Sequence, residues 1–110
     1  MTGAREERLA LNEALFRAAN ERMSDWEERH SEEESELYHC ECADLDCLDK
    51  LALGKADYER VRDDSAHFMV VLGHEDPEIE TVIEAHEGWA IIEKNPDVQA
   101  LVERTDPRLS

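Results

Sequence analysis

The stretch "YHCECADLDCLDK" (residues 38–50) carries all three cysteines of the chain within eight positions. In an extended backbone, residues i and i+2 project to the same side, so Cys40 and Cys42 can face one ion together. The four residues that follow, Ala-Asp-Leu-Asp, are enough to turn the chain and bring Cys47 back. The segment therefore predicts a metal site with three thiolate ligands.

Zinc is the ion that this ligand set suits best, since thiolates favour it and three sulfurs with one imidazole make a closed tetrahedral site. His39 adjoins the first cysteine and would point to the opposite face of an extended segment. We expect His74 to be the fourth ligand, because it directly follows Gly73 at the end of a buried strand, where the backbone can approach closely. If His74 is not the ligand, the next candidates are Asp44, Asp46 or a water molecule.

Three other uses of the thiols fit less well. A disulfide within the Cys-Glu-Cys tripeptide would close a strained ring and leave one cysteine over. An iron–sulfur cluster normally needs four protein ligands, usually all cysteine. A reactive thiol needs an electropositive surround, whereas this one is rich in acids: Glu41, Asp44, Asp46 and Asp49.

Residues 4 to about 30 predict one long helix, since no Gly or Pro interrupts them and good helix formers dominate. One stripe runs through Leu11, Leu15, Ala18 and Arg22, and continues through Ala19, Met23, Trp26 and His30. We expect this stripe to dock on a sheet or to pair with a second copy of the chain. The acidic residues 27–36 predict an exposed connector. The sequence thus divides into a helix with connector (1–36) and a metal-binding α+β domain (37–110).

The second part of the chain predicts a small antiparallel sheet with short helices around the metal site, an α+β fold. Residues 79–86 fit either a helix or a strand. We favour a strand, because Glu87-Gly88 resembles a hairpin turn and the strand-like residues 89–93 need an antiparallel neighbour. The other expected elements are a short strand within 49–53, a helix over 55–64, a strand over 67–72, and a terminal helix with Asn95 as N-cap and Pro96 at its first position.

The net charge of −17 argues against a nucleic acid or an anionic membrane as partner. A basic protein would be attracted. The longest apolar run is the five residues Phe68 to Leu72, too short to span a bilayer, and no secretory signal is visible. The sequence therefore indicates a cytoplasmic protein with reduced thiols.

The chain resembles a family of small uncharacterised bacterial proteins over about residues 38–94. The resemblance is carried by the "CEC" segment with the third cysteine, "DYERVR", "VVLGHEDPE" and "EGWAIIEK", in this order. It implies that His74 pairs with the three cysteines, and it implies no activity. This chain departs from the pattern at Gly54, where the relatives tend to have a helix-capping Thr or Ser.

Two functions from different classes follow. The first is a protein-interaction or regulatory module in which zinc is structural, with a basic protein as partner or with a homodimer formed through the N-terminal helix. The second is a small zinc enzyme of the hydrolase type, in which three cysteines and a water hold the ion and Glu75 or a nearby His is the general base.

Overall fold

The fold is α+β, as predicted, in a computed structural model that describes residues 3–30 and 37–109 and, within these, all side chains except those of 25–30 and 109. A long helix comes first, followed by a two-stranded sheet, a short helix, a three-stranded sheet and a terminal helix. The elements are α1 (Ala4–His30), β1 (Leu37–His39), β2 (Lys50–Ala52), α2 (Lys55–Arg62), β3 (His67–Val71), β4 (Glu80–Ala85), β5 (Trp89–Lys94), α3 (Pro96–Arg104) and a 3₁₀ turn (Pro107–Leu109).

The larger sheet is antiparallel, with strand order β3-β5-β4. The β4–β5 hairpin confirms the strand interpretation of the ambiguous segment. Its turn contains Gly88 at φ +84°, a backbone conformation that residues with a Cβ rarely adopt. The His86 N–H donates to the Trp89 carbonyl at 2.8 Å and closes the turn.

Both faces of this sheet are covered at β3, which explains why the strand is apolar from Phe68 to Val71. Because side chains alternate along a strand, Phe68 and Val70 face one way and Met69 faces the other. The first face packs beside α1 and α3, with Ala10, Cys40, Cys42, Ile79, Ala90, Ile92, Val98 and Val102. The second packs against the small sheet and α2, with Tyr38, Leu51, Leu53, Tyr58, Val61, Trp89 and Ile91.

The cysteine segment leaves β1 and runs beside the edge strand β3. The Glu41 N–H donates to the Met69 carbonyl at 2.8 Å, and the Met69 N–H donates to the Glu41 carboxylate at 3.1 Å. This contact covers an edge that would otherwise expose unpaired backbone groups. It also fixes the two adjacent cysteines at the end of the sheet where β3 finishes.

Helix α1 packs on its own chain through a different face from the predicted one. Leu11 and Leu15 are 40% and 61% exposed, so the expectation that their stripe docks on a sheet is wrong. The buried face instead carries Ala10, Glu13, Ala14, Arg17, Asn20 and Ser24. Several of these polar groups have specific partners, such as the Ser65 and Val102 carbonyls that Arg17 binds at 2.6 and 2.7 Å.

Three details at element ends differ from the sequence analysis or lie beyond the described residues. Helix α2 ends at Arg62 rather than at 64. Its N-cap residue is Gly54, which has no side chain to accept a hydrogen bond from the first turn. Asn95 is the N-cap of α3 and Pro96 its first residue, as expected, but the Asn95 side chain makes no capping hydrogen bond and its amide donates to the Glu78 carbonyl at 3.3 Å. Residues 31–36 of the expected acidic connector, and the side chains of Trp26 and His30, lie outside what is described.

Among the described helices, none is both long and apolar enough to cross a membrane.

Candidate metal centre

Cys40 and Cys42 enter the site from the extended segment beside β3, and both are buried. The Val71 N–H, at the end of β3, donates to the Cys40 sulfur at 3.2 Å. A backbone N–H directed at sulfur favours the thiolate, because it stabilises the negative charge. The same pairing of backbone and sulfur fixes where the first ligand stands.

The turn that returns Cys47 forms as predicted. The Asp44 carboxylate accepts the Asp46 N–H at 2.9 Å, and the Asp44 carbonyl accepts the Cys47 N–H at 3.0 Å. Asp44 therefore shapes the loop with its own side chain. Asp44 and Asp46, the alternative fourth ligands, do not belong to the group whose ligand atoms converge.

His74 reaches the sulfurs from the tight turn after β3. Gly73 has φ +91°, and the His74 N–H donates to the Val71 carbonyl at 2.9 Å. This turn places the imidazole Nδ1 3.5 Å from the Cys40 sulfur and 3.7 Å from the Cys47 sulfur. The other ring nitrogen, Nε2, lies 3.5 Å from an Asp49 carboxylate oxygen.

The four expected ligand atoms lie within 4.8 Å of one another: Cys40, Cys42, Cys47 and His74. In a tetrahedral zinc site with Zn–S near 2.3 Å and Zn–N near 2.0–2.1 Å, sulfur and nitrogen stand about 3.6 Å apart. The two measured sulfur–nitrogen distances bracket that value. The side chains therefore fit a zinc ion, and the Asp49 carboxylate stands where it can orient the imidazole.

The protonation of the three thiols is coupled. A hydrogen bond from Cys40 lowers the pKa of Cys42 to about 5. The same hydrogen bond, together with burial, raises the pKa of Cys40, and burial raises the pKa of Cys47. Metal ligation requires thiolates, so ion binding at this site would displace the remaining thiol protons.

The other candidate residues, His39 and Glu75, do not belong to the group of converging ligand atoms. His39 faces away, as alternation predicted, with Nδ1 2.6 Å from the Lys50 ammonium. Glu75, the candidate general base, lines a cavity of about 440 Å³ that adjoins the cluster. The cavity is also lined by Leu9, Cys42, Ala43, Asp44, His74, Asp76 and Pro77.

Sequence reasoning missed two contributors to the site, Asp49 and the backbone of Val71. Asp49 was noted only as one of several acids near the cysteines, and no local spacing singles it out as the partner of an imidazole. Val71 contributes an N–H, which sequence identity does not reveal. Both depend on the approach of the cysteine loop to β3.

The chain matches no protein-family model, no curated protein and no solved structure. The resemblance to small bacterial proteins therefore stays an expectation, and the functional argument depends on the site itself.

Proposed function

We propose that this protein is a small acidic zinc-binding module in which the metal is mainly structural and the surface binds another protein. The position of His74 carries the proposal. Its Nδ1 lies 3.5 and 3.7 Å from two sulfurs, so a fourth protein ligand would close the coordination sphere. Closed four-ligand sites are typical of structural zinc. The resemblance to the small bacterial family implies the same ligand set.

A metal here would join parts of the chain that are far apart in sequence. Cys40 and His74 are separated by 34 positions, and each belongs to a different sheet or its flank. One ion would fasten the cysteine loop to the end of β3. For a domain of this size such a link adds stability that the apolar core alone supplies only in part.

Two features support an interaction surface. The net charge of −17 would attract a basic protein partner. The exposed side of α1 supports the alternative of a homodimer, because Leu11 and Leu15 line an apolar groove of about 380 Å³ together with Ala14, Ala18 and Thr105. Exposed leucines grouped in a groove are a feature of interaction sites.

The cavity beside the cluster favours a second candidate function, a small hydrolase-like zinc enzyme. Glu75 lines that cavity together with His74, and could act as general base toward a water on an ion held by the three cysteines. Three thiolates would make such a water less acidic than a His-rich site does, which weakens this candidate. A Glu75→Gln variant would lose a hydrolytic activity that the wild type shows on a panel of esters, amides and phosphoesters.

Native mass spectrometry of protein purified without added metal tests the first candidate. We expect one zinc per wild-type chain, and loss or marked weakening of zinc binding in His74→Ala. His39→Ala is the matched control, since His39 adjoins Cys40 in sequence but bonds to Lys50. Equal zinc retention in His74→Ala and the wild type would contradict a closed site and would favour the enzyme.

A further inference from the structure

We propose a second metal site, formed by Asp64, His67 and Glu93, that takes a divalent transition-metal ion through oxygen and nitrogen ligands. This site shares no residue with the cysteine cluster. It lies where β3 begins and β5 approaches its end, whereas the cysteine cluster lies at the other end of β3. Each residue offers one ligand atom, and the three atoms lie within 4.8 Å of one another.

The two distances from the imidazole nitrogen lie close to those between ligands of a single ion, one just below and one just above the expected range. His67 Nε2 lies 2.9 Å from a Glu93 oxygen and 3.6 Å from an Asp64 oxygen. Ligands held at about 2.0–2.2 Å from one ion stand roughly 3.0–3.5 Å apart. The same imidazole nitrogen faces both carboxylates, so three lone-pair donors converge on one point.

The backbone holds these side chains in place before any ion arrives. His67 and Glu93 are direct cross-strand partners in the β3–β5 register. Asp64 Oδ1 accepts the Ala66 N–H at 2.9 Å, which leaves Oδ2 as the oxygen directed at His67. The His67 N–H also donates to the Asp64 carbonyl at 3.0 Å. The strand pairing therefore positions His67 and Glu93, and the hydrogen bonds of the turn position Asp64.

The ligand types indicate which cations the site would take. An imidazole with two carboxylates suits zinc, manganese or iron(II) better than it suits magnesium or calcium, which prefer oxygen alone. The side chains of Asp64 and Glu93 are 53% and 45% exposed, and that of His67 is 20% exposed. Water would complete the coordination sphere, so this would be an open, exchangeable site.

Three acceptors that converge on one point require either a metal ion or a proton between them. The competing arrangement has a hydrogen on His67 Nε2 that bonds to the carboxylates, with no metal ion. The two arrangements differ at a single atom, Nε2, and an experiment can observe that atom directly.

His86 is a useful control, because its Nε2 also faces a carboxylate but lacks the second carboxylate that His67 has. Its Nε2 lies 3.0 Å from a Glu84 oxygen, and its side chain is 32% exposed. Its other close neighbour is the Arg60 guanidinium at 3.5 Å, which would repel a cation. A metal that bound acidic surface non-specifically would affect both histidines alike.

The test adds Zn²⁺ to protein already given one equivalent of zinc, in 0.15 M salt to screen diffuse attraction. Calorimetry measures stoichiometry, and ¹⁵N NMR of the imidazoles identifies the ligand. We expect one further zinc per chain and a metal-induced shift at His67 Nε2. His67→Ala should lose this second zinc, and His86→Ala should bind it as the wild type does. Glu93→Gln replaces a direct ligand, so it should weaken binding at least as much as loss of an outer-shell partner, about 10-fold to 100-fold.

Asp64→Asn guards against a loss of binding caused by misfolding. The asparagine carbonyl can still accept the Ala66 N–H, while an amide nitrogen replaces the oxygen directed at His67, so we expect a folded chain with weakened uptake.

Retention of the second zinc in His67→Ala would overturn the proposal. So would a His67 Nε2 that remains protonated beside excess Zn²⁺, since that describes the hydrogen-bonded arrangement without a metal ion. Because the NMR reads His67 itself, failure of the cysteine site to bind zinc would not obscure the result.

Discussion

At the scale of single residues, the most unusual feature is a set of charges buried between α1 and the larger sheet. The Lys94 ammonium contacts carboxylates of both Glu13 and Glu80, and all three side chains are fully buried. Burial raises the pKa of Glu80 and lowers that of Lys94. Such groups are tolerated in an interior only while each has a partner.

Replacing Lys94 with methionine should therefore destabilise the fold strongly. Two buried carboxylates would lose the cationic contact that Lys94 supplies, and breaking a buried ion pair in this way costs about 3–5 kcal/mol. Urea unfolding of the zinc-loaded protein measures the loss. Lys50→Met is the control, since Lys50 is exposed and its removal should change stability by about 0.5 kcal/mol or less. Equal stabilities of the two variants would contradict this account.

Glu21 predicts a pH dependence. Burial alone would raise its pKa, but hydrogen bonds from Arg108 and Tyr58 and the charge of Arg62 outweigh burial and hold the pKa below its ordinary value of 4.5. A carboxyl whose pKa falls on folding contributes stability above its unfolded pKa and loses that stability as the pH drops through its folded pKa.

Glu21→Gln should therefore be less stable than the wild type at pH 7, by about 1–3 kcal/mol for a charge-assisted hydrogen bond. The difference should shrink as the pH falls below about 4.5, where wild-type Glu21 takes up a proton. Urea unfolding of both proteins at a series of pH values from 7 to 3.5 measures this difference in the free energy of unfolding. A difference that stayed constant over the range would contradict the assigned ionisation.

At the scale of elements, α1 shows where sequence periodicity fails. The stripe through Leu11 and Leu15 predicted a face that docks on a sheet or pairs with a second copy, because leucine is normally buried when it recurs at helical spacing. The first alternative is wrong, since both side chains are exposed. The structure buries Arg17 and Asn20 instead, and satisfies them with carbonyls such as those of Ser65 and His39. Those acceptors come from distant parts of the chain, so no local pattern could have predicted the orientation of the helix.

Two glutamate substitutions on α1 distinguish the observed face from the predicted one. Ala10→Glu would place a carboxylate in the core cluster, and should cost several kcal/mol because a buried charge would lack a partner. Leu15→Glu changes a side chain that is 61% exposed, so stability should change by about 0.5 kcal/mol or less. Thermal unfolding of both variants tests this, and the reverse order would show that the leucine stripe is the buried one.

The same Leu15→Glu variant tests the proposed homodimer without disturbing the fold. Sedimentation at several concentrations should show a dimer for the wild type and a monomer for the variant, because a carboxylate would enter the apolar groove. A wild type that remains monomeric at every concentration would remove the homodimer and leave a different protein as the partner of the module.

The larger sheet and the cysteine segment were predictable for local reasons. The run from Phe68 to Leu72 is apolar, and Gly88 lies at a turn that demands positive φ, so β3 and the β4–β5 hairpin followed from the sequence. The spacing of Cys40, Cys42 and Cys47 similarly predicted that the thiols converge. The strand β1 and the pairing of Asp49 with His74 depend on tertiary contacts and could not be predicted in this way.

At the scale of the whole molecule, zinc should cross-link the cysteine loop to the larger sheet and so stabilise the fold. A strong chelator should therefore lower the melting temperature of the wild type. An ion present at about a thousandfold its dissociation constant stabilises the fold by about 4 kcal/mol. Cys47→Ser serves as the control, since it lacks one ligand and should respond much less. A wild type whose melting temperature is unchanged by chelation would contradict a structural role for the metal.

X-ray absorption at the zinc edge of protein loaded with one equivalent shows whether three sulfurs and one imidazole close the site. We expect three sulfurs at about 2.3 Å and one histidine nitrogen at about 2.0–2.1 Å, with no further ligand. An oxygen in the fourth position, or fewer than three sulfurs, would contradict a closed site formed by Cys40, Cys42, Cys47 and His74.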